Sequence, residues 1–60
     1  MDMRVKIKKC SDPLYWYHGF IGREFTVLWI DESGYWTREP SGYTNVIKDT
    51  DAEEINNEYQ

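Results

Sequence analysis

Ten aromatic side chains in a chain of 60 residues constrain its fold more than any other feature: five Tyr, three Trp and two Phe, 17% of the sequence. Each ring can bury a large area, so a handful of them fills a core. A chain this short hides only about 60% of its unfolded surface on folding, and the interior of so small a barrel holds about half of these rings. The remainder are expected at the surface. One small domain is all that fits, without the second layer and deep cleft that most enzymes need.

The hydrophobic pattern is that of short strands. Met3, Val5 and Ile7 alternate with Arg4, Lys6 and Lys8, which predicts a half-buried strand. Ser11-Asp12-Pro13 ends it, because proline cannot donate to a ladder and Ser and Asp favour local turns. Leu14 to Gly22 is aromatic and irregular and reads as a long ordered loop or a splayed hairpin. Glu24 to Ile30 is the strongest β segment, with Phe25, Val27 and Trp29 on one face and Thr26, Leu28 and Ile30 on the other. Its two faces are both apolar toward the end, which implies coverage from two sides or a bulge that switches faces. Asp31 to Gly34 is a turn, Tyr35 to Glu39 a strand, Pro40-Ser41-Gly42 a tight turn and Tyr43 to Lys48 a further strand. Thr50 and Glu53 have capping-box spacing, predicting one helical turn. Ile55 is the last apolar anchor, and residues 56–60 are expected to fray. The expected architecture is all-β: a small five-stranded barrel over residues 3–55, with a long loop after the first strand and one short helical turn before the last.

The order of these parts resembles an SH3-like barrel. Gly22-Arg23-Glu24-Phe25-Thr26-Val27-Leu28 is similar to that family's second-strand opening, and Gly34-Tyr35-Trp36 to its paired aromatics after an acidic loop. Gly42-Tyr43 is similar to the start of its fourth strand, and Glu53-Glu54-Ile55 to its closing segment. The resemblance spans residues 3 to 55, and more narrowly the chain resembles small proteins of Gram-positive bacteria and their phages. The Ala-Leu-Tyr-Asp-Tyr and Pro-Ser-Asn-Tyr stretches that line the proline-peptide groove of true SH3 domains are missing. Tyr15-Trp16-Tyr17 stands in the first place and Lys48-Asp49-Thr50-Asp51, without a ring, in the second, so polyproline recognition is not carried over.

Reaction chemistry has no foothold in this sequence. Cys10 and His18 are each the only residue of their type, so no disulfide can form within the chain and no metal-ligand spacing is present. A phosphate-binding glycine loop is lacking as well. The expectation is a non-enzymatic protein without cofactor or metal. A lone cysteine, no signal-peptide pattern and no membrane-length apolar run point to the cytoplasm.

Charge is distributed unevenly. Residues 1–30 carry five basic and three acidic groups, a balance of +2, whereas residues 31–60 carry two basic and eight acidic groups, a balance of −6, for a net charge of −4. Tyr35 and Trp36 must face opposite ways on a strand, so at least one leaves the core. The leading expectation is a protein-interaction module. Its contact patch comprises Tyr15, Trp16, Tyr17, Tyr35, Trp36 and Tyr43, rimmed by Asp31, Glu32 and Arg38, and it would serve a phage or prophage accessory protein in engaging a host protein. The alternative is a single-stranded nucleic-acid binder, with Arg4, Lys6 and Lys8 along the backbone and Trp16 or Trp36 stacking on bases. The net negative charge disfavours it, because phosphate contacts dominate such binding. Mimicry of nucleic acid by the acidic segments ranks last.

Overall fold

The computed structural model describes residues 3–55; the tail at 56–60, expected to fray, lies outside them. The described residues are all-β, with six strands: β1 (Arg4–Ile7), β2 (Glu24–Thr26), β3 (Trp29–Asp31), β4 (Gly34–Arg38), β5 (Thr44–Ile47) and β6 (Ala52–Ile55). Two 3₁₀ turns, His18–Phe20 and Asp49–Asp51, are the only helical elements among the described residues. The strands form two antiparallel three-stranded sheets, ordered β2-β1-β6 and β3-β4-β5. No ladder among the described residues joins the sheets into the closed five-stranded barrel that was expected.

The extra strand arises from the segment whose two faces are both apolar. The amide of Val27 donates to Met3 O in the first sheet at 2.8 Å, and the amide of Leu28 donates to Trp36 O in the second at 2.7 Å. Consecutive N–H groups therefore serve different sheets, and the chain crosses between them at this peptide. Phe25 and Val27 consequently pack with the core, whereas Trp29 belongs to another sheet and half of its surface is exposed.

Val5, Ile7, Phe25 and Ala52 of the first sheet, Ile47 of the second and Tyr17 of the long loop form the core. The period-two pattern of β1 is realised: Val5 and Ile7 are buried and Lys6 is exposed. Lys6 lies opposite Glu24 on one neighbour and Glu53 on the other, so carboxylates flank it across both ladders. The long loop is closed at its base, where Ile7 N donates to Arg23 O at 2.9 Å and Gly22 N donates to Ile7 O at 2.7 Å. Within it, Asp12 Oδ1 accepts from Leu14 N at 2.9 Å and Asp12 O accepts from Tyr15 N at 3.0 Å, turns that start the loop on its path.

Gly34 fixes how the second sheet closes on itself. Its φ of 132° lies in the region natural to glycine, and a Cβ there would collide with the carbonyl oxygen of Ile47. The expected helical turn before the last strand is present as Asp49–Asp51, but the capping box is not: the turn is 3₁₀ and has no side-chain cap. The third residue of that turn takes the structural role instead. Asp51 points inward and is fully buried.

Candidate interaction surface

The long loop is bound to the sheets through buried polar groups. The Asp51 carboxylate accepts from Ser11 N at 3.0 Å, from Ser11 Oγ, and from the Tyr17 hydroxyl at 2.5 Å. Burial pushes its pKa up, but the hydrogen bonds from Ser11 and Tyr17 and the nearby charge of Lys9 outweigh that, holding it below the ordinary value. Tyr17 also accepts from Lys48 N at 3.3 Å, and its pKa is raised, first by burial and then by its bond to Asp51. Tyr17 is 1% exposed. It was expected on the contact patch and instead anchors the loop, because its ring joins the core and its hydroxyl satisfies a buried carboxylate.

The other residues of that expected patch divide into two groups. Tyr15 and Trp16 are half-buried, and Trp16 donates its indole N–H to Val46 O at 2.8 Å while its ring meets Tyr17 and Phe25 edge-on. With Leu14, Asn45, Val46 and Lys48 they line a groove of about 300 Å³ between the loop and β5, floored by Tyr17. Leu14 is 90% exposed at its lip. On β4, Tyr35 and Thr37 face the core and Trp36 and Arg38 face outward. Tyr35 is half-buried, with its hydroxyl donating to Glu54 Oε2 at 3.2 Å; burial first, then Glu54, raises its pKa. Arg38 Nη1 donates to Gly42 O at 3.0 Å, and Tyr43 is 74% exposed beside that turn.

One apolar residue outside the expected patch, Trp29, extends the outer face of the second sheet; of its exposed neighbours, Ile30 lies opposite the core-facing Tyr35 and Leu28 lines a groove with Arg4, Arg23 and Arg38, so neither shares that face. Leu28, Trp29 and Ile30 are all exposed, and β3 is an edge strand, bonded only to β4 among the described residues. Trp29 lies opposite Trp36 and stacks on it, with ring centroids 5.3 Å apart and planes 13° off parallel. Trp36 in turn lies opposite Val46, which also lines the loop groove. A continuous apolar band thus runs from the β3 edge across the outer face of the second sheet to Leu14. The signal for Trp29 was present in the doubly apolar end of Glu24–Ile30, but strict alternation assigns it to the face of Phe25.

Polar groups border the band at the β3 end. The Asp31 carboxyl is held below its ordinary value, first by the indole N–H of Trp36 against an opposing push from burial, then by the amides of Ser33 and Gly34 and the Trp29 indole. Only the Ser33 amide closes a hydrogen bond, at 2.8 Å; Trp36 Nε1 is buried without an acceptor in hydrogen-bonding geometry, so its effect on Asp31 is through proximity. Among the described residues no helix is long and apolar enough to cross a membrane, and no group of three His, Cys, Asp or Glu side chains is placed to hold a metal. The thiol of Cys10 donates to Asp12 O at 3.1 Å.

No family model, no curated protein and no solved structure matches this chain.

Proposed function

We propose that this protein is a non-enzymatic interaction module whose partner lies along the band from Trp29 to Leu14. The observation that carries the reading is the contrast between the two edges of the second sheet. The β5 edge is covered by the loop through the Trp16–Val46 hydrogen bond, whereas the β3 edge presents Leu28, Trp29 and Ile30 without a cover among the described residues. The edges of the first sheet, β2 and β6, carry Glu24, Glu53 and Glu54, charges of the kind that discourage strand pairing. An apolar edge next to stacked indoles is the arrangement that accepts an extended segment of another protein, with backbone bonds to the edge and rings as anchors. Asp31 and Glu32 at one end favour a segment with a basic residue there.

The finer architecture belongs to the same reading. An SH3-like arrangement is supported by the element order, with a long loop after β1, a tight turn between β4 and β5, and a 3₁₀ turn leading into β6. A role as a phage or prophage accessory protein in the cytoplasm, engaging a host protein, is consistent with so small an interaction surface on so small a chain. Single-stranded nucleic-acid binding is less well supported. The Arg4 and Lys6 side chains have Glu24 and Glu53 as cross-strand company, and the Trp16 indole is already engaged.

The test is capture from a bacterial lysate with the wild-type chain and a Leu14→Ser, Trp29→Ser variant whose fold is checked by its amide spectrum. A protein retained by the wild type and lost by the folded variant supports the reading. Identical recovery overturns it.

A further inference from the structure

The chain has three arginines and four lysines. All three arginines, and none of the lysines, line one groove of about 400 Å³ between β1, β2 and the end of β4. Arg4 comes from β1, Arg23 from the residue before β2, and Arg38 from the last position of β4, so the fold gathers them from three separate parts of the chain. This groove lies apart from the loop groove; it meets the proposed interaction surface at Leu28, and of its arginines only Arg38 is part of the patch expected from the sequence.

Their partners leave most of the guanidinium N–H groups unused. Arg4 Nη1 donates to Thr26 Oγ1 at 3.1 Å, and its Nη2 meets Glu24 Oε1 at 3.4 Å, the only ion pair among the described residues. Arg38 uses Nη1 on Gly42 O. Arg23 has no carboxylate within pairing distance among the described residues. Its guanidinium rests over the rings of Phe20 and Phe25, at 5.2 and 5.8 Å, which orients the group without consuming its donors. Among the described residues Glu24 is the one acidic residue lining the groove, so its three cations and one anion sum to +2 there, on a protein whose net charge is −4.

We propose that this groove binds a phosphomonoester, the phosphoryl group of a phosphorylated side chain or small molecule. Arginine forks pair bidentately with phosphate oxygens in a way lysine does not reproduce, and the local charge matches a dianion rather than a single carboxylate or a phosphodiester. Nucleic acid fits less well. Phe25 is buried, Arg23 covers Phe20, and no free ring in the groove is available for a base.

The experiment is a titration of the ¹⁵N-labelled full chain, followed at the arginine Nε–Hε resonances at constant ionic strength and slightly alkaline pH. The probes are inorganic phosphate, phosphoserine, acetate and a short oligothymidylate. Inorganic phosphate and phosphoserine are expected to give saturable shifts at Arg23 and Arg38, with acetate weaker by about tenfold. Arg23→Lys and Arg38→Lys, each with an intact amide spectrum, are expected to weaken phosphate by about fivefold or more. Stronger saturation by phosphoserine than by inorganic phosphate assigns the site to a phosphorylated side chain; equal saturation assigns it to small phosphorylated molecules. Equal response to acetate, an unchanged affinity in both lysine variants, or tighter binding of the oligothymidylate than of either phosphomonoester overturns the proposal. None of these outcomes depends on Leu14 or Trp29, so they stand apart from the lysate capture.

Discussion

The hydroxyl of Tyr17 donates to Asp51 Oδ2 at 2.5 Å across 34 positions of sequence, and both residues are shut away from solvent. A single carboxylate thereby ties the aromatic loop to the turn before the last strand, with Ser11 as second donor, while the amides of Lys8 and Lys9 donate to the main-chain carbonyl oxygen of Asp51. The groove beside the loop lies between this anchored segment and β5, where Trp16 donates to Val46 O.

Removing the phenol tests that role. Tyr17→Phe keeps the ring in the core but withdraws a donor from a buried carboxylate, at a cost of about 1.5–3 kcal/mol. For a domain of this size the whole stability is of order 3–9 kcal/mol, so urea unfolding should show a clear drop in the midpoint. A midpoint within error of wild type would detach Tyr17 from the loop's stability.

The same pair sets the pH limits. Tyr17 has a pKa raised above its ordinary 10.0, so its contribution is complete below pH 10 and is lost as pH climbs through that value toward the folded one. Asp51 is depressed from 3.8, so its contribution is present above that pH and is lost as pH falls below it. Urea midpoints measured across pH should fall at both ends. Tyr17→Phe should flatten much of the alkaline limb, leaving a smaller slope from Tyr35.

Gly34 should not tolerate a side chain. Gly34→Ala places a Cβ against the Ile47 carbonyl at a φ of 132°, so the β4–β5 ladder must shift or break. The expected loss is about 3 kcal/mol or more, read by thermal unfolding. Gly42→Ala, with open space around it, should cost less.

Thr37 offers a gain. Its Oγ1 is buried without a partner, and Thr37→Val replaces that hydroxyl with a methyl of similar shape. The variant is expected to be neutral or more stable by about 1 kcal/mol. Destabilisation beyond that would mean the hydroxyl has a partner.

How much of this was legible follows the range of the interactions. The alternation in β1, the turn at Asp31–Gly34 and the tight turn at Pro40–Gly42 are local, and the chain states them in its pattern of apolar, glycine and proline residues. The six-strand split was legible only as an anomaly: two apolar faces near Ile30 marked a switch, but its position at Val27–Leu28 depends on Met3 and Trp36, distant in sequence. That one-peptide crossing moved Trp29 from an expected inner face to the exposed stack on Trp36. Tyr17 was misplaced for a similar reason, since its partner Asp51 lies in a segment where Thr50 and Glu53 gave a stronger local signal for a cap that does not form. Ring counting anticipated about half of the rings at the surface, whereas of the described rings only Trp29 and Tyr43 are exposed, Tyr17 and Phe25 are buried and the others are half-buried. It could not say which rings, because that depends on which polar tips find buried partners.

The most direct measurement is the dissociation constant of a captured partner for the wild type and for Trp29→Ser, both with intact amide spectra. Loss of a half-exposed aromatic anchor at the β3 end of the band should weaken binding by about tenfold or more. An unchanged constant in a correctly folded variant would contradict the assignment of the Trp29–Leu14 band as the interaction surface.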